Sequence, residues 1–347
     1  MIATKGYAAQ SATTPIAPFS YEHRTPGDND VLIDIQYCGI CHSDIHQGRN
    51  EWGNSLYPMV PGHEIVGTVA SVGSKVTKFK AGDLAAIGCM VDSCRECATC
   101  REGEEQYCER GQTVFTYNAK DKQGNLTWGG YGNHIVCDEA FVLSVPKNLD
   151  PAAAAPLLCA GITTYSPLKQ WNVGPGKKVG IVGLGGLGHM GLKFSHAFGA
   201  KTVLFTTSAS KIEDAKKLGA DEVVLTKEEG WAAKHARSFD FILDCVSAEH
   251  DLNTYLSLLK RDGTLCLVGV PEKPAAVSAF SVIMGRKRLS GSAIGGIKET
   301  QEMLDFCGKH NIVSDIEMTS FDKVNEAWDR VVKSDVKYRF VLDVKTL

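Results

Sequence analysis

The chain has 347 residues, 44% of them apolar and 22% charged, with a formal net charge of −3. That balance fits a globular protein with a real core and room for two domains, and without a basic stripe it argues against nucleic acid or an anionic membrane as partner. The N-terminus MIATKGYAAQSATTP lacks an apolar signal region, the longest apolar stretch, near AAAAPLLCAGI, is interrupted by Pro156, and twelve cysteines accompany no export signal; a cytoplasmic protein without a membrane span is expected.

Residues 1–150 carry short β-rich runs divided by Gly, Pro, Asn and Asp: VLIDIQYCG, EIVGTVASVG, DLAAIG and HIVCDEAFVLSVP. Alternation of period two with turn punctuation predicts an irregular, partly barrel-like β domain. Three stretches hold Cys or His near Gly: YCGICHSDIHQ, PGHEIVG and PLLCAGITTYSPL. Singly, Cys38, Cys41 or Cys159 could be an inert core thiol. Together they form a Cys/His set able to build an open zinc site, with three protein ligands and one position left for water or substrate.

Between them lies VDSCRECATCREGEEQYCER, where Cys94, Cys97, Cys100 and Cys108 stand among charged neighbours in the pattern C-x2-C-x2-C-x7-C. Unrelated thiols would hide in the core. A bacterial ferredoxin run places its fourth Cys three residues on and follows it with Pro, whereas here seven residues intervene and Glu109 follows. Four thiolates close the coordination sphere of a structural Zn2+, which would contribute ~10 kcal/mol or more to ordering this lobe.

Near residue 150 the character changes to strands alternating with helices: KVGIVGL, TVLFTT, DEVVLT, FDFILDCV and GTLCLVGV, separated by HMGLKFSHAFGA, SKIEDAKKLGA and DLNTYLSLLK. This predicts βαβ units and a parallel sheet. Gly183, Gly185 and Gly188 satisfy G-x-G-x-x-G after the strand Lys178–Val182, with a helix expected to open at His189. Gly183 allows the tight turn, Gly185 lets the backbone approach a pyrophosphate, and Gly188 permits close helix–strand contact. No acid stands between Thr202 and Lys211; Thr206, Thr207, Ser208, Ser210 and Lys211 stand there instead. Hydroxyls and an ammonium suit a 2′-phosphate that a carboxylate would repel, so NADP(H) is expected over NAD(H). Two amphipathic helices, KETQEMLDFCGKH and FDKVNEAWDRVVKSD, and a last strand, YRFVLDV, close the chain.

The order of CGICHSD, YPMVPGHEIVG, the four-cysteine lobe, LLCAGITTYSPL, GLGGLGHMGLK, LLKRDGTL, GSAIGGIKETQEMLDF and DVKYRFV resembles the zinc-dependent medium-chain dehydrogenases, and most closely their cinnamyl alcohol dehydrogenase branch with its bacterial broad-substrate aldehyde reductases. The resemblance implies an α/β protein made of a GroES-like β-rich catalytic domain and a Rossmann doubly wound nucleotide-binding domain. The catalytic domain would span 1–155 and 297–347, with 156–296 inserted between and the active site in the cleft.

It further implies Cys41, His63 and Cys159 as catalytic zinc ligands, Glu64 as a carboxylate that approaches or ligates the metal, and Cys38 as a core thiol. With the structural ion, two Zn2+ per chain are expected. Ser43 would touch the substrate hydroxyl, His46 would pass its proton outward, and Glu51 would stand at the outer end of that relay. The cofactor set would comprise His42 near the pyrophosphate, Thr163 near the nicotinamide, Gly183, Leu184, Gly185, Gly186, Leu187 and Gly188 of the turn, Thr206, Thr207, Ser208 and Lys211, then Val268, Gly269, Val270, Ser292 and Arg339. Trp52, Phe115 and Ala293 would line the substrate pocket. Phe115 and Ala293 depart from the large aromatics of plant relatives, which implies a wider pocket for assorted aromatic and aliphatic aldehydes. The implied activity is NADP(H)-dependent interconversion of primary alcohols and aldehydes by a homodimer joined through its nucleotide domains. A zinc-free quinone or enoyl reductase would lack the Cys/His set, and a non-catalytic NADPH-binding protein would have it broken.

Overall fold

A computed structural model describes residues 1–271 and 273–347. The chain divides into two compact units, Met1–Ile162 with Gly295–Leu347, and Thr163–Ile294.

The first unit is built on a seven-stranded sheet. Its order runs Ile316–Thr319, Arg339–Asp343, Asp30–Ile40, Ile65–Val72, Leu84–Ile87 and Leu143–Ser144, and His134–Asp138 also pairs with Asp30–Ile40. All pairs are antiparallel except Ile316–Thr319 with Arg339–Asp343. The eleven-residue strand Asp30–Ile40 is the axis. Val31, Ile33 and Ile35 turn to the core, as the period-two pattern of VLIDI requires, and a register shift between Ile35 and Tyr37 brings Cys38 to the core as well. The C-terminal segment therefore completes the sheet begun at the N-terminus. A separate hairpin pairs Ile2–Ala8 with Ala17–His23, and the four-cysteine lobe stands on the two-stranded ribbon Met90–Asp92 and Val114–Phe115.

Register decides what meets at one end of this sheet. Ile65 pairs with Cys38 and Phe340 with Ile40. Cys41 follows one strand, His63 and Glu64 precede the next, and Arg339 opens the third. Three strand ends distant in sequence thus converge on one corner.

The second unit is a six-stranded parallel sheet in the order Glu222–Leu225, Lys201–Thr206, Lys178–Val182, Phe239–Asp244, Leu259–Leu267, Arg288–Gly291. This is the doubly wound order of dinucleotide-binding folds, whose direction reverses between the third and fourth strands listed. Val203, Phe205, Phe239, Ile242, Leu256 and Leu265 form its core. The helix after the first strand of the unit's sheet spans Gly186–Ala197, so it opens three residues before the expected His189. Gly188 lies inside its first turn, where a Cβ would come 2.0 Å from the carbonyl oxygen of Gly183. The close approach that the third glycine permits is thus made within the helix rather than ahead of it.

Candidate active site and metal centres

The lobe gathers Cys94, Cys97, Cys100 and Cys108, all buried, with sulfur atoms within 4.8 Å of one another. Cys94 and Cys100 lie 3.8 Å apart and Cys97 and Cys108 4.0 Å apart. Sulfur atoms about 2.3 Å from a tetrahedral zinc would stand about 3.8 Å from each other, so the donor set fits that ion. Backbone N–H groups of Glu96 and Cys97 point at the Cys94 sulfur at 3.4 and 3.3 Å. The Thr99 hydroxyl and the N–H of Cys100 hold the Cys97 thiol down to about 5, while burial pushes Cys100 up to about 12. The four do not ionise alike by themselves; a coordinating cation deprotonates them all. Among the described residues no cysteine is engaged in a disulfide.

At the convergent corner, Cys41, His63, Glu64 and Cys159 are buried with one ligand atom each within 4.8 Å of the others. Cys41 and Cys159 sulfurs are 3.8 Å apart, again the tetrahedral spacing. Cys159 arrives from the turn Ala155–Leu158. The hydrogen bond to Cys159 holds Cys41 well below the ordinary thiol range against its burial, with the Arg339 and His63 charges adding. Cys159 is pushed well up by the same contact and by Cys89. Two thiols and an imidazole around one point, with a carboxylate beside them, make a donor set that suits zinc and leaves a position open. The Ser43 hydroxyl lies 3.5 Å from the Cys41 sulfur. Cys38 is fully buried against Gly62 and Gly130, where a Cβ would stand 2.7 Å from its sulfur.

Glu64 also faces Arg339 in a close buried ion pair. Gly39 is required beneath it, since a Cβ there would meet the Glu64 carboxylate at 1.9 Å. His46 Nδ1 contacts the Glu51 carboxylate, and its ring is stacked between His42 at 4.8 Å and Trp52 at 5.1 Å. Burial, and then the His46 charge, lower the His42 pKa. Phe115 lies on the lobe ribbon opposite Met90 and is half exposed.

Two residues near this corner escaped the sequence reading. Asp44 is wholly buried and accepts from Cys41 N at 2.9 Å, Gly62 N at 3.1 Å and the Tyr131 hydroxyl at 3.3 Å. His63 Nδ1 lies 3.4 Å from its Oδ1. Burial alone would lower the His63 pKa, but negative charge at Cys89 and Asp44 raises it well above the ordinary imidazole value. A carboxylate behind a ligating histidine fixes the ring's orientation. Asp44 stands three residues after Cys41, the cap of helix His42–Gly48, and that capping spacing was the available signal. The other residue is Cys89, whose thiol is drawn down by its contact with Cys159.

In the second unit, Gly183 takes φ 85°, the left-handed conformation open to glycine. A Cβ on Gly185 would meet nothing within 4 Å, so this backbone is open to a close-lying group at the head of helix Gly186–Ala197. Lys211 donates to the Leu184 carbonyl at 2.7 Å, and burial lowers its pKa. Thr206 is buried and its hydroxyl accepts from Ser208 N at 3.3 Å; Thr207 is exposed and Ser208 partly so. Val268 N and Gly269 N both bond the Asp244 carbonyl, at 3.0 and 3.1 Å, and Ser292 N bonds the Leu267 carbonyl at 3.1 Å. Thr163 is buried in helix Ala160–Gln170, and Ala293 follows the strand Arg288–Gly291.

Residues 27–147 match the Alcohol dehydrogenase GroES-like domain family, and residues 186–309 the Zinc-binding dehydrogenase family. Aldehyde reductase YahK of Escherichia coli is 54% identical over 345 residues, with 99% of each chain covered. A cinnamyl alcohol dehydrogenase of Sorghum bicolor superposes with a TM-score of 0.96 at 45% identity, covering 99% of this chain and 98% of its own. The cinnamyl alcohol dehydrogenase of Helicobacter pylori, solved with NADP(H), gives 0.93 at 42% identity, with 99% of each chain covered. The chain belongs to the zinc-dependent medium-chain alcohol dehydrogenases, within their cinnamyl alcohol dehydrogenase branch.

Proposed function

We propose that the protein is an NADP(H)-dependent zinc alcohol dehydrogenase and aldehyde reductase that interconverts primary alcohols, cinnamyl-type and other aromatic or aliphatic, with their aldehydes. The observation that carries this reading is the buried meeting of Cys41, His63, Glu64 and Cys159 beside the Ser43 hydroxyl. Cys41, His63 and Cys159 would hold a catalytic zinc, whose contribution when bound is Lewis-acid polarisation of the substrate oxygen. NADP(H) supplies or accepts the hydride.

The rest falls to the chain's own side chains. Ser43 holds the substrate hydroxyl proton, and His46 carries it toward Glu51, which its Nδ1 already contacts. The stacked rings of His42 and Trp52 fix the His46 imidazole in that orientation. Arg339 holds Glu64 by charge and so governs how far the carboxylate can move toward the ligand set. Trp52 and Phe115 shape the substrate pocket on the catalytic side. The residues 1–155 and 297–347 form the catalytic domain in this reading and 156–296 the nucleotide domain.

The open backbone at Gly185, the glycine turn and the polar strand end Thr206–Ser208 with Lys211 support NADP(H), because a 2′-phosphate finds hydroxyls and an ammonium there and no carboxylate. Cys94, Cys97, Cys100 and Cys108 would hold a second, structural zinc. A homodimer is supported by Phe280, Ile283, Met284 and Leu289, large apolar side chains left exposed around the terminal strand Arg288–Gly291 of the parallel sheet; exposed apolar patches of this kind mark association surfaces. Twelve cysteines without a disulfide among the described residues support a reducing, cytoplasmic setting. Among the described residues no helix is long and apolar enough to cross a membrane.

The test is NADPH consumption against a panel of aldehydes, paired with NADP+ reduction by the matching alcohols. Turnover in both directions that is lost in Cys41→Ala is expected. A Cys41→Ala enzyme with full activity would instead place the protein with the zinc-free reductases.

A further inference from the structure

The strand Phe239–Asp244 ends beside Lys178–Val182, where the order of the parallel sheet reverses. In open α/β sheets ligands bind at that point, outside the carboxyl ends of the strands. The segment that follows, DCVSAEHD, carries a buried carboxylate and an imidazole that the proposed reaction does not use.

Asp244 is 1% exposed. Its carbonyl accepts from Val268 N and Gly269 N. Its Oδ1 accepts from Val246 N at 3.1 Å, and its Oδ2 lies 2.7 Å from His250 Nε2. The other nitrogen of the same ring, His250 Nδ1, lies 2.8 Å from the Ala248 carbonyl oxygen. Both partners are acceptors: a carboxylate on one side, a carbonyl on the other. A neutral imidazole has one N–H and can satisfy only one of them, whereas imidazolium donates to both. The geometry therefore calls for the doubly protonated ring.

The segment pinned in this way is wedged between two turns. A Cβ on Gly183 would come 2.7 Å from Val246 Cγ2, and one on Gly269 would come 2.3 Å from the Val246 carbonyl oxygen. Gly183 begins the dinucleotide turn, and Val268–Val270 is the second stretch assigned to the cofactor. Val270 N also bonds the Ser247 hydroxyl at 3.3 Å. Val246 is thus packed closely against both turns, and a shift toward either must move that turn.

We propose that His250, as imidazolium, is a positioning residue for the nucleotide site: it holds the Asp244–Ser247 segment against the Gly183 and Val268–Val270 turns, and loss of its proton weakens NADP(H) binding. This rests on the NADP(H) reading given above.

The groups around the ring agree with the sign. The hydrogen bond to Asp244 raises the His250 pKa against partial burial, with the Ala248 carbonyl and the Asp244 and Asp251 charges adding. Tyr255, from helix Leu252–Leu258, meets the ring edge-on at 5.7 Å and is kept neutral by burial, as is the Cys245 thiol. Glu249 is engaged with Lys273 at 3.4 Å. A raised imidazole pKa means the clamp is complete below the ordinary value of about 6.5 and is lost as pH rises through the folded-state value.

The experiment measures NADPH and NADH dissociation constants with the zinc-loaded full-length protein from about pH 7 to about pH 9, a range in which the 2′-phosphate, with its second pKa near 6, is already ionised. The expected wild-type result is about tenfold weaker binding of both cofactors above the His250 midpoint than below it, following the proton of a single group. His250→Gln should bind weakly at the low end and vary less than about twofold. NADH, which lacks the 2′-phosphate proposed for Lys211, separates this effect from the contribution of that residue. A histidine NMR titration of the wild-type protein reads the midpoint of His250 directly and does not depend on the variant folding. A His250 midpoint below about 6.5, or parallel pH profiles for wild type and His250→Gln, overturns the proposal while leaving the cofactor reading intact. Absence of saturable NADPH binding at the low end overturns both.

Discussion

Asp44→Asn changes one oxygen for one nitrogen at a site with no exposure, and its consequence follows from the donors around it. Four groups face the carboxylate: Gly62 N and His63 Nδ1 near Oδ1, Cys41 N and the Tyr131 hydroxyl near Oδ2. The asparagine amide can accept on one side only. Turned toward Tyr131, its NH2 leaves Cys41 N without an acceptor; turned toward His63, it leaves Gly62 N without one. The Tyr131 hydroxyl, which takes the Trp328 indole N–H at 3.2 Å, can rotate to compensate, but a backbone amide cannot. One orphaned buried donor costs about 1–3 kcal/mol, which lowers the melting temperature by about 2–4 °C per kcal/mol in a unit of this size. The lost negative charge behind His63 acts separately on the metal. Losing an outer partner of a ligating histidine typically costs about 10- to 100-fold in metal affinity. The assay is competition between protein and a chromogenic zinc chelator, followed by elemental analysis. The variant should release one equivalent at about 10- to 100-fold lower chelator concentration, while the equivalent held by the Cys94 lobe keeps its wild-type release. If both equivalents leave together, or if Asp44→Asn retains zinc and melting temperature unchanged, Asp44 does not orient His63 and the reasoning fails.

Cys97→Ser should reduce the metal content from two zinc ions to one per chain and lower thermal stability, because three thiolates no longer close the lobe's site; unchanged metal content by elemental analysis would speak against a structural zinc. His63→Ala and Cys41→Ala should abolish turnover with NADPH affinity close to wild type, and His46→Ala should slow turnover by about 10²-fold, a typical contribution of a positioned proton-transfer group, which steady-state kinetics resolves. Lys211→Ala should raise the NADPH Michaelis constant about tenfold, as expected for one lost charge-assisted hydrogen bond, and leave that for NADH nearly unchanged; equal effects on the two would show that Lys211 does not read the 2′-phosphate.

Local pattern and motif spacing sufficed for much of this protein. The C-x2-C-x2-C-x7-C run brings its own thiols together because its loops are too short to place them elsewhere, and the sulfurs of Cys94 and Cys100 and of Cys97 and Cys108 lie 3.8 and 4.0 Å apart. The parallel sheet and its glycine turn were legible for a similar reason: strand, turn and helix are consecutive, and each glycine answers a steric demand within a few residues. The start of the helix was misplaced by three residues because the G-x-G-x-x-G spacing does not say that the third glycine is itself helical. The corner site was legible as a Cys/His set, and its individual members only as a resemblance. Residues 41, 63 and 339 are joined by strand register, Cys38 opposite Ile65 and Ile40 opposite Phe340, while Cys159 reaches them from the turn Ala155–Leu158, and register is a property of the assembled sheet. Spacing alone could not tell Cys41, which joins the buried cluster with His63, Glu64 and Cys159, from the core thiol Cys38, three residues away. The role of Asp44 beyond its capping spacing, and that of His250, were invisible for the complementary reason. Their roles lie in what accepts and donates around them, and burial together with the neighbouring N–H and C=O groups exists only once the tertiary structure has brought those atoms within hydrogen-bond distance.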